Sequence, residues 1–202
     1  MLPSAMLKFA ISICALLATP AFSATHKVPE DDPLVTIEIP DKWQTKEVGE
    51  SVQATAPDDP VHVLIVPPEG SKIAETMGEA MRYIRNTGGI VVRADSIKKE
   101  PGKLNGLDTQ QLSWEGKDKN GDVKIQFTIV SLAERKSVLV ARWGSPKGEQ
   151  KYEADLKKIL QSIKIFWRPF FKRRNSALAG TLKSPAESCW NYLRCYQPTK
   201  LG

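Results

Sequence analysis

Residues that could perform acid–base or metal chemistry are sparse in this 202-residue chain. It has only two histidines, His26 and His62. His26 lies in a polar N-terminal segment, and His62 lies in the apolar run of residues 61–66, which is typical of a buried strand. A histidine within such a strand more often makes a structural hydrogen bond than acts as a ligand or base. We therefore predict that His62 is structural.

Acidic residues occur in pairs, but their surroundings indicate turns. Asp31-Asp32 and Asp58-Asp59 lie in polar stretches, where both carboxylates stay ionised, whereas glycosidase chemistry needs one of them buried. Residues 118–122 resemble the first half of a calcium-binding loop. However, the glycine occupies the fourth position instead of the sixth, and the twelfth position is Ile129. The pair Asn120-Gly121 instead predicts a hairpin turn.

Motifs for nucleophilic or phosphate chemistry are missing from the sequence. There is no Gly-x-Ser-x-Gly elbow, no glycine-rich phosphate loop, and no cysteine within residues 24–164. We predict that the protein is not an enzyme and that it uses no cofactor and no metal. A hydrolase whose site has no recognisable motif is the remaining alternative.

The N-terminus has the features of a secretory signal peptide over residues 1–23. Lys8 provides a positive charge, residues 9–18 are apolar, and small residues occupy Ala21 and Ser23 at the −3 and −1 positions of a cleavage site. The apolar run is too short to cross a hydrocarbon layer about 30 Å thick. We predict a periplasmic or secreted protein, cleaved near Ser23/Ala24.

The positive charge of the chain is concentrated at its C-terminus. The formal net charge is +6, and residues 165–202 alone hold seven lysines and arginines against one glutamate. Residues 24–164 are therefore close to neutral, so the basic composition is no argument for nucleic-acid binding. We predict no nucleic-acid partner.

Residues 165–174, at the start of this basic tail, contain four aromatic residues and four cations. Such a composition suits the boundary between water and an anionic membrane, or a contact with a protein partner. In the alternative interpretation, Phe166 and Trp167 extend the packing of the last helix and the basic run is a solvated linker. The residues predicted to make the membrane or partner contact are Trp167, Arg168, Phe170, Phe171, Lys172, Arg173 and Arg174.

Two cysteines follow in the tail, Cys189 and Cys195. Residues 184–187 form a capping box that predicts a short helix over residues 185–195. On a helix, these cysteines would be separated by about 9 Å of rise, whereas a disulfide needs α-carbons within about 7 Å. A helix in the reduced chain and a disulfide-closed loop in the oxidised chain are therefore exclusive alternatives. Two thiols without a histidine nearby do not indicate zinc.

The elements that must position these residues follow from hydrophobic periodicity. The clearest pattern is residues 123–129, where apolar and polar residues alternate, and Val130 and Leu132 then make the second face apolar too. We predict that this strand and the next form the centre of a sheet. Residues 24–33 are predicted to be a flexible lead-in, and residues 98–106 a loop. The predicted strands cover residues 34–39, 52–56, 61–66, 90–97, 107–115, 123–132 and 137–143, and the predicted helices residues 71–86 and 148–164.

Hairpins dominate this order, and only two main helices are available to cover the sheet. We therefore predict one α+β domain over residues 34–164, with an antiparallel sheet of about six to seven strands. The helix of residues 71–86 has a stripe of apolar residues, including Met77 and Met81, which we assign to the core.

Residues 35–43, VTIEIPDKW, resemble the opening of the Mog1/PsbP-like superfamily, in which a strand is followed by proline and tryptophan. The central helix, Gly106 before a strand, the long hairpin and a terminal helix containing residues 161–163 also match. The resemblance covers residues 34–164 and implies an α/β/α sandwich without a shared catalytic motif. It implies an exported binding or accessory protein whose protein partner or small ligand is unknown. Attachment to an anionic membrane through residues 165–175 is the alternative.

Overall fold

The computed structural model describes residues 23–58, 60–67, 73–132 and 137–166. These residues form two sheets and three helices. The strands are β1 (Ser23–Val28), β2 (Val35–Pro40), β3 (Gln44–Val48), β4 (Ser51–Thr55), β5 (Val61–Val66), β6 (Val91–Leu104), β7 (Leu107–Asp118), β8 (Gly121–Ser131), β9 (Ser137–Gly144) and β10 (Lys164–Ile165). The helices are α1 (Ile73–Gly88), α2 (Pro146–Lys151) and α3 (Glu153–Gln161).

The larger sheet has seven strands in the order β3-β4-β5-β9-β8-β7-β6, and the smaller sheet has the order β1-β2-β10. Every strand pair in both sheets is antiparallel. This confirms the predicted α+β class. The predicted central hairpin is also confirmed, because β9 is the fourth of the seven strands and β8 lies beside it.

Both faces of the larger sheet are buried, each in its own core. The odd positions of β8, including Ile125 and Phe127, pack under α1 together with Met77 and Ile84. On the opposite face, Val130 and its neighbours pack against the smaller sheet and α3. The molecule is therefore layered, with α1 on one face and the smaller sheet with α3 on the other. This is the sandwich that the resemblance implied.

The prediction of a flexible lead-in over residues 24–33 is wrong for residues 24–28, which belong to β1. This strand pairs with β2 along its whole length, from Ser23 opposite Pro40 to Val28 opposite Val35. Most of its side chains are exposed, and only Val28 is buried. Backbone pairing with β2 holds β1 in place, and such pairing leaves no pattern of apolar residues in the sequence.

Two other edge elements differ from the prediction for the same reason. Residues 98–106 were predicted as a loop, but β6 continues to Leu104 and pairs with β7 up to a tight turn at Asn105 and Gly106. Both turn residues have positive φ, 52° and 82° respectively. The strand β3, which was not predicted, is exposed along most of its length. A strand that buries no face needs no alternation of apolar residues.

The predicted helix over residues 148–164 begins earlier and is interrupted. Ser145 caps α2, because its Oγ accepts a hydrogen bond of 3.0 Å from the Gly148 N–H. Tyr152 leaves helical geometry, with φ of −106°, and divides α2 from α3. Its hydroxyl donates a bond of 2.8 Å to the carbonyl of Pro57, and its ring packs edge-on against buried Trp43. Trp43 is therefore a packing residue of the core on this side of the sheet.

The turn at Asn105 connects the β6–β7 hairpin to the end of α3. Asn105 Nδ2 donates bonds of 3.0 Å to the Gln161 carbonyl and 2.8 Å to the Ile163 carbonyl.

Asn105→Ala should lower the free energy of unfolding by about 1–2 kcal/mol, because alanine makes neither bond and must still adopt positive φ. Asn105→Gly loses the bonds without that backbone cost, so urea unfolding should find it about 1 kcal/mol more stable than the alanine variant. Equal stabilities would contradict this explanation.

Candidate functional site

His62 takes part in a packed polar chain between α1 and the larger sheet. Tyr83 donates a bond of 2.6 Å to Gln53, whose amide donates to Thr55 Oγ1 at 3.2 Å, and this hydroxyl lies 3.1 Å from His62 Nδ1. The His62 ring stacks on Trp143 at 4.9 Å between centroids. Burial raises the pKa of Tyr83, so its phenol remains a proton donor over a wider pH range. These contacts are those expected of a structural histidine.

His26 lies far from this chain of contacts, in the smaller sheet opposite Ile37. That sheet packs on one face of the larger sheet, whereas His62 faces α1 on the other. The structure therefore does not bring the two histidines together. Among the described residues, His26 Nε2 is buried and has no hydrogen-bond partner.

The loop that resembles a calcium site is a hairpin turn, as predicted. Asp118 Oδ1 accepts bonds of 2.7 Å from the Asn120 N–H and 2.9 Å from the Gly121 N–H, so the turn itself uses this carboxylate. In the part of the chain that the structure describes, no three histidine, cysteine or acidic residues are grouped in a way that could hold a metal ion. In the same part, no helix has the length and apolar character needed to cross a membrane.

Several predicted features lie outside the described residues. They are the signal segment before Ser23, the predicted helix over residues 185–195, the cysteines Cys189 and Cys195, and the predicted contact residues Trp167, Arg168, Phe170, Phe171, Lys172, Arg173 and Arg174. The last described residue is Phe166. Its side chain is 44% exposed, and its N–H donates a bond of 2.9 Å to the Leu34 carbonyl. The basic tail therefore begins beside Leu34.

A groove with a volume of about 520 Å³ lies between α2–α3 and the larger sheet; we call it the helix groove. Its apolar wall consists of Leu104, Leu156 and Leu160. Its charged lining residues comprise three cations and two acids, which are Lys124, Arg142, Lys157, Glu149 and Glu153. An apolar wall with a few placed charges is the usual composition of a small-ligand site.

Arg142 is the most unusual residue of the helix groove. It is the only charged residue of β9, the central strand, and its side chain is 25% exposed. Its Nε lies 3.6 Å from Glu149 Oε1, which makes an ion pair that is too long for a hydrogen bond. Among the described residues, neither of these two buried atoms has a hydrogen-bond partner. Arg142 therefore retains unused donor capacity next to the groove.

A second opening, about 920 Å³ in volume, lies between the segment that follows β1 and the β3–β4 turn; we call it the acidic cleft. His26 and Lys27 line it as well. Five acidic residues line it, which are Glu30, Asp31, Asp32, Glu47 and Glu50. They come from two separate segments, residues 30–32 and 47–50, which the fold brings to the same opening.

Sequence reasoning missed both openings. The signal for Arg142 was its position as the single charge in an apolar strand, because a cation there must have a partner or a function. The acidic cleft had no comparable signal. Its carboxylates are spread over residues 30–50, and two of the five lie in a strand and a turn that the pattern did not predict.

No protein-family model and no curated protein sequence matches this chain. Several solved structures are similar to this chain at low sequence identity. The chain is similar to PsbP from the cyanobacterium Synechocystis sp. PCC 6803, with 10% identity, a TM-score of 0.47, and coverage of 77% of this chain and 99% of that one.

Two further solved structures are similar. LpqN of Mycobacterium tuberculosis, described as involved in cell envelope biogenesis, shows 13% identity and a TM-score of 0.44, covering 71% of this chain and 90% of that one. PA94 of Pseudomonas aeruginosa, a protein of unknown function, shows 14% identity and a TM-score of 0.38, covering 73% and 98%.

Proposed function

We propose that this chain is an exported, non-catalytic binding or accessory protein that receives an anionic ligand or partner group in the helix groove. The observation that carries this proposal is Arg142, a cation on the central strand whose guanidinium is only partly matched by Glu149. The N-terminal sequence supports an exported location, because residues 1–23 have the pattern of a signal peptide.

Arginine at this position has an energetic cost that packing alone does not explain. Partial burial of a charge is unfavourable unless close hydrogen bonds compensate for the lost water. Glu149 at 3.6 Å supplies charge but no hydrogen bond. A carboxylate or phosphate entering the groove would supply the missing acceptors, and the planar guanidinium favours such groups through paired hydrogen bonds.

The rest of the groove fits a ligand that also has an apolar part. Leu156 and Leu160 form one wall, and Lys124 and Lys157 are exposed cations among its lining residues. Exposed lysines attract an anion from solution but discriminate weakly between anions, whereas the half-buried Arg142 fixes its orientation. Glu149 would then act as an internal competitor that weakens binding.

A titration of the purified protein with succinate and with inorganic phosphate, followed by backbone amide NMR, tests this proposal. We expect saturable shifts in β9 and α2 and, in Arg142→Gln, at least about tenfold weaker binding, since bonds to charged groups contribute about 1.5–3 kcal/mol. Glu149→Gln should bind more tightly, because it removes the competing carboxylate.

Arg93→Gln is the matched control. Arg93 is also a sheet arginine that pairs with an acid, Glu115, but it lies on the exposed edge strand β6. The Arg93→Gln variant should bind succinate and phosphate with the same affinity as the unaltered protein. If Arg142→Gln keeps full affinity while its thermal melting shows that it is folded, the groove is not the binding site.

The alternative, attachment to an anionic membrane through residues 165–175, is favoured by Phe166. This residue is one of two large apolar side chains that are well exposed among the described residues, the other being Val91. Sedimentation with vesicles containing phosphatidylserine should recover the protein, and the full chain with Arg168, Lys172, Arg173 and Arg174 changed to Gln should bind about tenfold less. Equal recovery of both proteins would reject attachment.

A further inference from the structure

The acidic cleft carries charge that the described part of the protein does not neutralise. None of the ion pairs among the described residues involves Glu30, Asp31, Glu47 or Glu50. All four are exposed, and the single lysine that lines the cleft, Lys27, does not pair with any of them. Like charges gathered around one opening repel one another and favour a cationic occupant.

A second feature of the cleft points to an occupant. His26 lines it, and its Nε2 is buried without a hydrogen-bond partner among the described residues. Buried polar atoms normally have a partner in the folded protein or in ordered water. The residues that line the cleft therefore include a buried nitrogen without a hydrogen-bond partner and four carboxylates that pair with no described cation.

The basic segment that follows Phe166 begins next to the acidic cleft. Phe166 donates its N–H to the carbonyl of Leu34, and Leu34 lines the acidic cleft. Arg168 follows two residues later, and residues 172–174 are Lys-Arg-Arg. An extended chain spans up to about 3.5 Å per residue, so Arg168 reaches about 7 Å and Arg174 about 28 Å from Phe166. Both distances allow contact with the rim of a cleft that begins at Leu34.

We propose that the acidic cleft is the docking site of this chain's own basic segment, residues 168–174. The cations of the segment pair with Glu30, Asp31, Glu47 and Glu50, and the contact is intramolecular because the tether at Leu34 holds the segment at high effective concentration. The helix groove lies elsewhere, so this inference does not depend on the proposed ligand of Arg142.

When residues 168–174 are docked in the acidic cleft, the cations that would bind an anionic membrane are held by the protein's own carboxylates. A membrane or an acidic partner must compete with the cleft for the segment. The pairing is screened by salt, because exposed charges interact weakly beyond the Debye length, which is about 10 Å at 0.1 M ionic strength.

Cross-linking of the full chain with a carbodiimide, which joins carboxylates to lysine amines, tests the proposal. Lys172 is the only lysine of the segment. Peptide mass spectrometry should find Lys172 joined to Glu30, Asp31, Glu47 or Glu50, and 0.5 M NaCl should reduce the yield about fivefold. A mixture of ¹⁴N- and ¹⁵N-labelled protein distinguishes links within one chain from links between two copies.

A pair of charge reversals provides the control. Glu47→Lys with Glu50→Lys should reduce the links from Lys172 to Glu30 and Asp31 about fivefold to tenfold. Glu79→Lys with Glu100→Lys, on exposed parts of α1 and β6, should leave them unchanged. Circular dichroism confirms that each variant is folded. The proposal is overturned if links form only between copies, if Lys172 joins Glu79 and Glu100 as readily, or if the first pair has no effect.

Discussion

Phe127→Ala is expected to lower the free energy of unfolding by about 3–5 kcal/mol. Phe127 lies in β8 under α1, is 1% exposed, and packs edge-on against Trp114 at 5.1 Å between ring centroids. Removing its ring leaves a cavity in the middle of a core that is fixed on one side by the sheet and on the other by α1. Chemical denaturation monitored by circular dichroism measures the loss.

Phe127→Leu is the matched variant, because it keeps most of the apolar volume. It should cost about 1–1.5 kcal/mol. In a double-mutant cycle with Trp114→Leu, the two rings should show a coupling of about 0.5–1.5 kcal/mol. If alanine and leucine at position 127 are equally stable, Phe127 does not fill a closely packed core.

Gly144→Ala should cost about 3 kcal/mol or more, because there is no room for a methyl group at the end of β9. An added Cβ would lie 2.4 Å from the Pro60 carbonyl oxygen and 2.9 Å from Val61 Cα. Both atoms belong to the backbone of the neighbouring strand region, so they cannot move aside as a flexible side chain can. The strands β5 and β9 would have to separate where they pair.

Gly102→Ala provides the control for this prediction. Gly102 is also a strand glycine, but it lies on the exposed edge strand β6, and its added Cβ would meet only the hydroxyl of Thr109 at 3.0 Å. This side chain can rotate, so the change should stay within about 0.5 kcal/mol. The midpoint of thermal unfolding compares the two variants directly. Similar midpoints would show that β9 is not held as tightly as its contacts imply.

The interior of the fold was predictable from the sequence because burial leaves a pattern. The alternation at Ile125 and Phe127, and the loss of alternation at Val130, correspond to the two cores on either side of β8. The sequence also predicted the next strand at the centre of the sheet, and β9 is the fourth of its seven strands. Positions that face a core need apolar side chains, so the pattern of apolar residues shows which faces of a strand are buried.

The edges of the fold were not predictable in this way. The strands β1 and β3 and the second half of β6 expose most of their side chains, and backbone hydrogen bonds to one neighbour hold them in place. For β6, one local signal was present, since Asn105-Gly106 is the same turn pair as Asn120-Gly121. The charged residues around it indicated a loop more strongly than the pair indicated a turn.

Both candidate sites depend on contacts that form only when the chain is folded. Arg142 meets Glu149 because α2 folds back over β9, and the acidic cleft forms because the β3–β4 turn lies beside the segment after β1. As the single charge in an apolar strand, Arg142 could have been recognised as unusual from the sequence, but the sequence does not identify its neighbours. Such neighbours become visible only once the order of the strands is known.

The position of β2 in the smaller sheet determines how late in folding this sheet can be completed. It pairs with β1 on one side and with Lys164–Ile165 on the other, and Ser162 Oγ accepts a bond of 2.8 Å from the Glu38 N–H across 124 residues. Closing so long a loop is slow, since its entropy is lost before the contact forms. We expect the β7–β8–β9 hairpins to form the folding nucleus, while the first strands of the chain remain unassembled until the last ones arrive.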